Sequence, residues 1–333
     1  MRPTVLIVYN DPEPGRYGEM GEGKAVLGVL EEVEAVERAL TASGFPTVRL
    51  PLRPPVDRVK DVLESVEGDV VFNLFEGFDG SAESEAVVAD LIAETERPFT
   101  GCPGDALSLG LDKKRAKELL QAAGVSTPRY QLLSPETLPS FGLRLPCIVK
   151  PCGEDASHGL SEESVTYDRA SLQKQVRKVS ALFGGEALVE EFLDGREFNA
   201  TVLGNGRPVV LPISEIVYSL PAASPRILTF AAKWDVGSVY FEGTRPVCPA
   251  DIDLDLQRRI IEIALSAFDL LGCRGYARVD LRLDAEGQPN VLEVNPNPDI
   301  SPQSGVSRQA QAAGMTFGHL VEEVVRLALG RQP

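Results

Sequence analysis

Short apolar runs alternate with amphipathic stretches through the first hundred residues. TVLIVYN (4–10), PTVRLPL (46–52) and DVVFNLF (69–75) have strand length and strand composition. Between and after them, apolar positions recur at helical spacing near Ala25–Ser43, closed by Gly44, over Asp57–Val66 and over Ser81–Glu96. Strands alternating with such helices predict parallel βαβ units with right-handed crossovers. GEGKAVLG (21–28) is glycine-rich, but it lacks G-x-G-x-x-G and does not directly follow a strand. A solvated helix start is the better reading than a dinucleotide loop.

The pattern changes beyond residue 108. In GLDKKRAKELLQAAGVSTPRY (110–130), Asp112 is placed to cap a helix at its N-terminus, Gly124 to close it, and Pro128 to block continuation. A strand LPCIVKP (145–151), a polar loop CGEDASHGLSEES (152–164), a short strand SVTY (164–167) and a helix Ala170–Phe183 follow. Next, REFNATVLGNGRPVVLPISEI (196–216) predicts a hairpin turning at Asn205-Gly206. YARVDLRLDAEGQPNVLEVN (276–295) predicts another, turning at Ala285–Gln288, with an amphipathic helix Leu254–Leu271 between the two. Helices near Ser304–Ala313 and Phe317–Leu329 close the chain, and no internal repeat or low-complexity segment is visible. The fold class is α/β plus α+β, in three units: an α/β unit 1–108, a small α+β unit 109–186 and a larger α+β unit 187–333.

Composition narrows this picture. At 333 residues the chain is too long for one ordinary core, and 43% hydrophobic with 25% charged residues is a globular balance. A net charge of -16 argues against nucleic-acid and anionic-membrane partners, which are bound through Lys and Arg. It leaves room for a phosphate ligand in one local basic pocket. The run Val5–Val8 reads as a buried strand, not a signal peptide, and no apolar stretch approaches the ~20 residues of a membrane span. Five cysteines without a C-x-x-C pair, and only two histidines, disfavour structural zinc and suit a reducing cytoplasm.

The chemistry concentrates at VLEVNPNPDISPQSG (291–305) and the strand before it. Arg278 and Asp280 share one strand face, as do Glu293 and Asn295 on the partner strand. If both sets point the same way, three oxygen donors converge beside one guanidinium, a set suited to Mg²⁺ with waters and substrate phosphates. A solvated, ion-paired sheet face is the commoner fate of strand acids, but the apolar surroundings imply packed acids that need compensation. Lys150 ends the apolar run CIVK, Lys233 sits in FAAKW, and Lys113 follows Asp112. Several cations around a metal site, in so acidic a chain, read as a nucleoside triphosphate pocket. In ALVEEFLDGREFN (187–199), a strand ends at Glu190-Glu191 before Phe192 and Leu193, suited to an adenine amino group. Glu197 lies farther on, within reach of ribose hydroxyls.

LDKKRAKELLQAAGVSTP (111–128), IVKPCGEDASHG (148–159), ALVEEFLDGREF (187–198), GCRGYARVDLRLDAEGQPNVLEVN (272–295) and SPQSGVSRQAQAAGMTFGHLVEEVV (301–325) occur in that order. This order resembles the ATP-grasp superfamily, and within it the D-alanine–D-alanine ligase-like branch. The resemblance spans about Thr100 to the C-terminus; the first hundred residues agree in pattern more than in wording. It implies an ATP-grasp fold, in which an N-terminal parallel-sheet domain precedes two α+β units that clasp ATP. It also implies an ADP-forming carboxylate–amine ligase working through an acyl phosphate, with ATP and Mg²⁺ (or Mn²⁺) as cofactors. By position, Lys113 and Lys150 contact ATP phosphates, as does the Ser157 backbone, and Lys233 the transferred γ-phosphate. Glu190 and Leu193 face adenine, with Glu191 a less direct contact through its backbone, and Glu197 binds ribose. Asp280, Glu293 and Asn295 bind metal, Arg278 stabilises the phosphorus and the later oxyanion, and Ser304 binds a substrate carboxylate.

Departures from the branch concern the substrates. The branch's paired serine reads Ala156-Ser157, its tyrosine after the γ-phosphate lysine reads Trp234, and its glycine-serine-glutamate motif is not visible in YNDPEPGRYGEMGEG (9–23). Its histidine-glycine reads Glu76-Gly77, and Asp299 stands where it has glycine. Glutamate favours a cationic or hydroxylated partner, though Glu76 pairing locally is an equal alternative. The expectation is a ligase for amino acids or small peptides with an altered pocket. The alternatives are a true D-alanine–D-alanine ligase, a nucleotide-binding protein without ligase activity, and another ATP-grasp chemistry. Retention of Arg278 and Lys233 disfavours mere binding, and no biotin-handling segment favours carboxylation. Partners are small molecules, neither nucleic acid nor membrane, with a homodimer as an option. His158 and His319 read as structural, Cys147 as core and Cys152 as pocket edge.

Overall fold

The computed structural model describes residues 2–12, 23–78, 81–153 and 159–330. Its first sheet is parallel. Strand β1 (Val5–Asn10), wholly buried, lies between β2 (Thr47–Leu52) and β3 (Val70–Leu74), with Val8 level with both Leu50 and Asn73. Alternation along β1 divides the packing. Val5, Ile7 and Tyr9 face helix α1 (Gly23–Ala42), and Leu6 and Val8 face α2 (Val59–Glu64) and α3 (Ser84–Glu94). The last helix, α11 (Phe317–Leu329), adds Leu320, Val321, Val324 and Val325 to the α1 side, so both ends of the sequence share one core.

Two helix ends differ from the sequence expectation for local reasons. Residues 56–58 tighten into a 3₁₀ turn, leaving α2 six residues. Helix α3 begins at Ser84, not Ser81, because the preceding residues form a turn. The Ser81 N–H donates to the Phe78 carbonyl at 2.9 Å, and Ser84 Oγ accepts the Phe78 N–H at 2.7 Å. Helix α4 (Gly104–Leu111) was not expected; it follows Pro103 and packs between α3 and the last hairpin. Helix α5 (Lys113–Ala122) has Asp112 as its N-cap, accepting the Arg115 N–H at 3.0 Å, and Gly124 follows it at φ 77°.

The second sheet is antiparallel: β4 (Tyr130–Leu133), β5 (Cys147–Pro151), β6 (Val165–Thr166) and β7 (Ala187–Glu191), in the order β4-β7-β5-β6. Helix α6 (Arg169–Phe183), capped by Asp168, covers the face formed by Cys147, Val149, Ala187 and Val189. By alternation Ile148, Lys150, Leu188 and Glu190 occupy the other face.

The third sheet contains β8 (Glu197–Gly204), β9 (Val209–Val210), β10 (Ser214–Tyr218), β11 (Thr244–Val247), β12 (Gly275–Leu283) and β13 (Pro289–Pro296). Its order is β11-β10-β8-β12-β13, with β9 also on β8. The return of the expected 196–216 hairpin is split into β9 and β10 around Pro212, which has no N–H for the ladder. Helix α9 (Leu254–Leu270) packs Leu256, Ile260, Ala264 and Phe268 against the core face of this sheet. Two short helices, α7 (Phe230–Trp234) and α8 (Val239–Gly243), lie between β10 and β11, and α10 (Gly305–Ala312) precedes α11. Ala232 and Tyr240 from this connection pack on Ile148, so the segment carrying Lys233 lies over the uncovered face of the second sheet. Among the described residues, no helix is long and apolar enough to cross a membrane.

Candidate active site

The β12–β13 ladder brings the sequence-predicted acids together. Arg278 is opposite Asn295 and Asp280 opposite Glu293, and directly opposed residues of an antiparallel pair project to one face. Beyond that pair the register shifts, Leu281 being paired with Val291, which leaves Leu292 as an extra residue. Strict alternation could not bury both Val291 and Val294, yet both are in the core with Ala277, Val279 and Leu281. The bulge reconciles these positions and leaves Glu293 and Asn295 on the face opposite the core.

Asp280 is the centre of a hydrogen-bond cluster. Arg278 donates from Nε at 2.8 Å and Nη2 at 2.9 Å, Asn295 Nδ2 at 3.0 Å, and Asn199 Nδ2 at 2.6 Å. Burial works against the Arg278 charge, but Asp280, Glu293 and Asp299 outweigh it and hold the guanidinium protonated. Burial likewise opposes the Glu293 carboxylate, yet Lys113, Lys150, Arg278 and Lys233 together hold it below its ordinary range. Four cations from α5, β5, β12 and α7 thus act on one carboxylate.

The donor chemistry fits a hard divalent cation. Asn295 spends its N–H on Asp280, so its oxygen is the atom it would offer beside the Asp280 and Glu293 carboxylates. Among the described residues no three or more His, Cys, Asp or Glu side chains form a metal-holding group. A cation here would therefore complete its shell with water and phosphate oxygens, as Mg²⁺ commonly does.

A second charged group underlies this face. Lys150 Nζ lies 2.7 Å from Glu190 Oε2, and Lys117 contacts Glu190 Oε1. Burial would raise the Glu190 pKa, but the two lysines hold it at about 2. Burial lowers the Lys117 pKa against the pull of Glu190. Lys150 stays above its ordinary value despite burial, because of Glu190 and Glu293. Sequence reading passed over Lys117; the available signal was a charge between Ala116 and Leu120 on the buried face of α5.

The other expected residues are placed as follows. Lys113, the first residue of α5, is buried. Lys233 lies on α7, whose N-cap Thr229 accepts the Ala232 N–H at 3.1 Å. Glu190 turns its carboxylate to the two lysines, whereas Glu191 projects oppositely, accepting the Arg144 N–H at 3.3 Å and lying 3.4 Å from Arg129. Leu193 is half-buried in the β7–β8 connection. Glu197 is buried, accepts the Tyr218 hydroxyl at 2.7 Å and lies 3.5 Å from Arg282; burial raises its pKa. Ser304 caps α10, its hydroxyl accepting the Ser307 N–H at 3.1 Å. Cys147 is buried, its thiol pushed up to about 12 by burial and Glu191. Ser157, with Ala156 and His158, lies outside the described residues, as does most of 9–23.

Near Arg278 lies an acidic side. Glu76 and Asp299 are exposed, and Glu32 on α1, missed in the sequence, is buried and accepts the Ile300 N–H at 2.7 Å. Burial, with Asp299 and Glu76 nearby, raises the Glu32 pKa well above its ordinary value. Its signal was an acid set between Val29, Val33 and Val36 on a core-facing helix stripe.

The family model described as D-ala D-ala ligase C-terminus matches residues 119–326. A D-alanine–D-alanine ligase from Carboxydothermus hydrogenoformans is 32% identical over 314 residues, covering 91% of this chain and 94% of the relative. The chain belongs to the D-alanine–D-alanine ligase family. An uncharacterized protein y4sG from Sinorhizobium fredii is 36% identical over 261 residues, 78% of this chain and 74% of its own length. The crystal structure of D-alanine–D-alanine ligase from Bacillus anthracis complexed with ATP superposes at a TM-score of 0.75 with 20% identity, covering 99% of this chain and 97% of that one. The fold of this family member is therefore ATP-grasp. Its enzyme class is that of the family, ATP-dependent, ADP-forming acid–amino-acid ligation.

Proposed function

We propose that this ligase joins amino acids or small peptides through an acyl phosphate, in an amino-acid pocket altered from that of its D-alanine-joining relatives. The observation that carries the reading is the meeting of Lys113, Lys150, Lys233 and Arg278 around Glu293, directly opposite Asp280. A cation cluster over an acid pair matches what a triphosphate with its divalent cation needs.

A substrate carboxylate oxygen attacks the γ-phosphorus, the bond to the β-phosphate oxygen breaks, and ADP leaves. The amine of the second substrate then adds to the acyl carbon, phosphate departs, and the nitrogen loses a proton to give the amide. Lys113, Lys150 and the Ser157 backbone hold the phosphates, and Lys233 the group in flight. Arg278, kept protonated by its acids, offsets charge growing on the phosphorus and then on the tetrahedral oxyanion. Glu190 and Leu193 face the adenine end, with Glu191 contributing through its backbone, Glu197 takes the ribose, and Ser304 a substrate carboxylate. Asp280, Glu293 and Asn295 would hold Mg²⁺, or Mn²⁺ in its place. Bound there, the cation would neutralise β- and γ-phosphate charge.

The altered pocket is inferred from Glu76, Asp299 and Trp234. Carboxylates at this edge favour an amine or hydroxyl group and repel a free carboxylate. The reading includes three units (1–108, 109–186, 187–333), a homodimer option, and a cytoplasmic location consistent with five free cysteines. The test is product formation with ATP, Mg²⁺ and a panel of D- and L-amino acids and dipeptides. ADP, phosphate and a new amide mass are expected from substrates other than D-alanine alone. D-alanyl-D-alanine as the dominant product would remove the altered pocket, and ADP without any amide across the panel would remove ligation.

A further inference from the structure

Lys117 occupies a position where packing alone calls for an apolar residue. Its side chain is 2% exposed, on the face of α5 that also buries Ala116 and Leu120. An ammonium so deeply buried costs several kcal/mol unless geometry and hydrogen bonds compensate it. Its partners are specific. It pairs with Glu190 and donates to Thr127 Oγ1 at 2.6 Å, and the Thr127 hydroxyl donates to the Val291 carbonyl at 2.8 Å. The Val291 N–H returns to the Ser126 carbonyl at 2.8 Å. The chain of contacts thus runs from α5 to β13, two residues before Glu293.

On the opposite side of Glu190 lies Lys150, at 2.7 Å. Without Lys117, Glu190 and Lys150 would form a neutral pair, and Glu190 would be free to follow Lys150 or turn from it. With Lys117, one carboxylate oxygen is anchored behind and the group of three carries a net positive charge. Resting on the nucleotide reading above, we infer that Lys117 is a positioning residue for the triphosphate site. It holds Glu190 so that the Lys150 ammonium keeps both its place and its unspent charge, and it ties that place to the strand bearing Glu293. Lys117 itself touches no reacting atom in this scheme.

The experiment measures binding of a non-hydrolysable ATP analogue with Mg²⁺ by calorimetry, alongside KM for ATP and for the amino acid, in full-length protein. Lys117→Met is expected to weaken analogue binding and raise KM for ATP at least about tenfold, a loss of ~1.4 kcal/mol. KM for the amino acid is expected to stay within about twofold, and Lys117→Arg to restore analogue binding substantially by returning the charge. A purely structural lysine would lower the melting temperature without separating the two KM values. If Lys117→Met does not fold, Lys117→Gln, which keeps an N–H donor toward Thr127 and Glu190 without the charge, is expected to show the same analogue loss. A folded variant of either kind that binds the analogue as wild type does overturns the inference. Failure of the wild type itself to bind the analogue would instead overturn the nucleotide reading.

Discussion

Asp280 on β12 stands directly opposite Glu293 on β13, and the ladder slips by one residue immediately beyond the pair. That slip lets Val291 and Val294 both enter the core while Glu293 faces the cations of three other elements and Arg278 of the neighbouring strand. The two acids are consequently unequal. Asp280 accepts hydrogen bonds from Arg278, Asn199 and Asn295, whereas the charge of Glu293 is balanced mainly by lysines of other elements.

Glu293→Gln should therefore separate chemistry from folding. ADP-forming turnover is expected to fall by about 10²–10³-fold or more, the scale of losing one charge-stabilising group. Because its folded pKa is depressed, Glu293 stabilises the fold above the ordinary carboxylate value, and that contribution disappears as pH falls through the lowered one. The variant should thus be less stable than wild type at pH 7, with the gap closing in acid. Turnover assays and denaturant melts at two pH values check both parts. Near-normal turnover would remove Glu293 from the machinery.

Much of this arrangement was legible in the sequence because it follows from period two and from caps. The parallel first sheet, the β12–β13 hairpin and the Asp112 cap all rest on such local rules. The bulge at Leu292 was not legible, since VLEV reads as uninterrupted strand until its two valines must share a core. Lys117 and Glu32 were passed over for a related reason. A charge on an apolar stripe has no interpretation until the partner elements, β7 for one and the loop at Ile300 for the other, are in place.

Glu32 yields a stability prediction of the opposite sign. Its folded pKa is raised, so its contribution is fully present below the ordinary value of 4.5 and is lost as pH rises through the folded value. Glu32→Gln cannot ionise and keeps an oxygen to accept the Ile300 N–H. It is expected to match wild type near pH 4 and to exceed it at pH 8 by on the order of 1 kcal/mol. Denaturant melts at the two pH values decide this; equal stability at pH 8 would mean that the buried carboxyl carries no such penalty.

Gly110 is a second test of how the site strand is held. A Cβ there would stand 2.6 Å from Pro296 Cδ and 2.8 Å from Pro296 Cγ, so glycine lets α4 lie against the end of β13 beside Asn295. Gly110→Ala should cost about 1–3 kcal/mol through overpacking. Gly318→Ala, on α11 with only Thr316 Oγ1 at 3.9 Å, is the control, expected to change stability by less than about 1 kcal/mol. Thermal melts of the two variants should diverge; if both behave alike, close approach at Gly110 is not what fixes the strand.

The contact between Trp234 and Gly28 links the helix carrying Lys233 to α1. A Cβ on Gly28 would meet the Trp234 ring at 3.5 Å, and Trp234 follows Lys233 directly on α7. Trp234 is also the single tryptophan of the sequence, so tryptophan emission reports the surroundings of this ring. Gly28→Leu would extend a branched side chain into space the ring occupies, displacing α7 without touching Lys233. The expected result is an emission shift to longer wavelength as the indole meets water. With it should come at least about a tenfold fall in turnover, since small misplacements of a positioning group are costly. A shifted emission with unchanged turnover would show that Lys233 keeps its place without the tryptophan. Unchanged emission would show that the ring does not rest on α1 in solution.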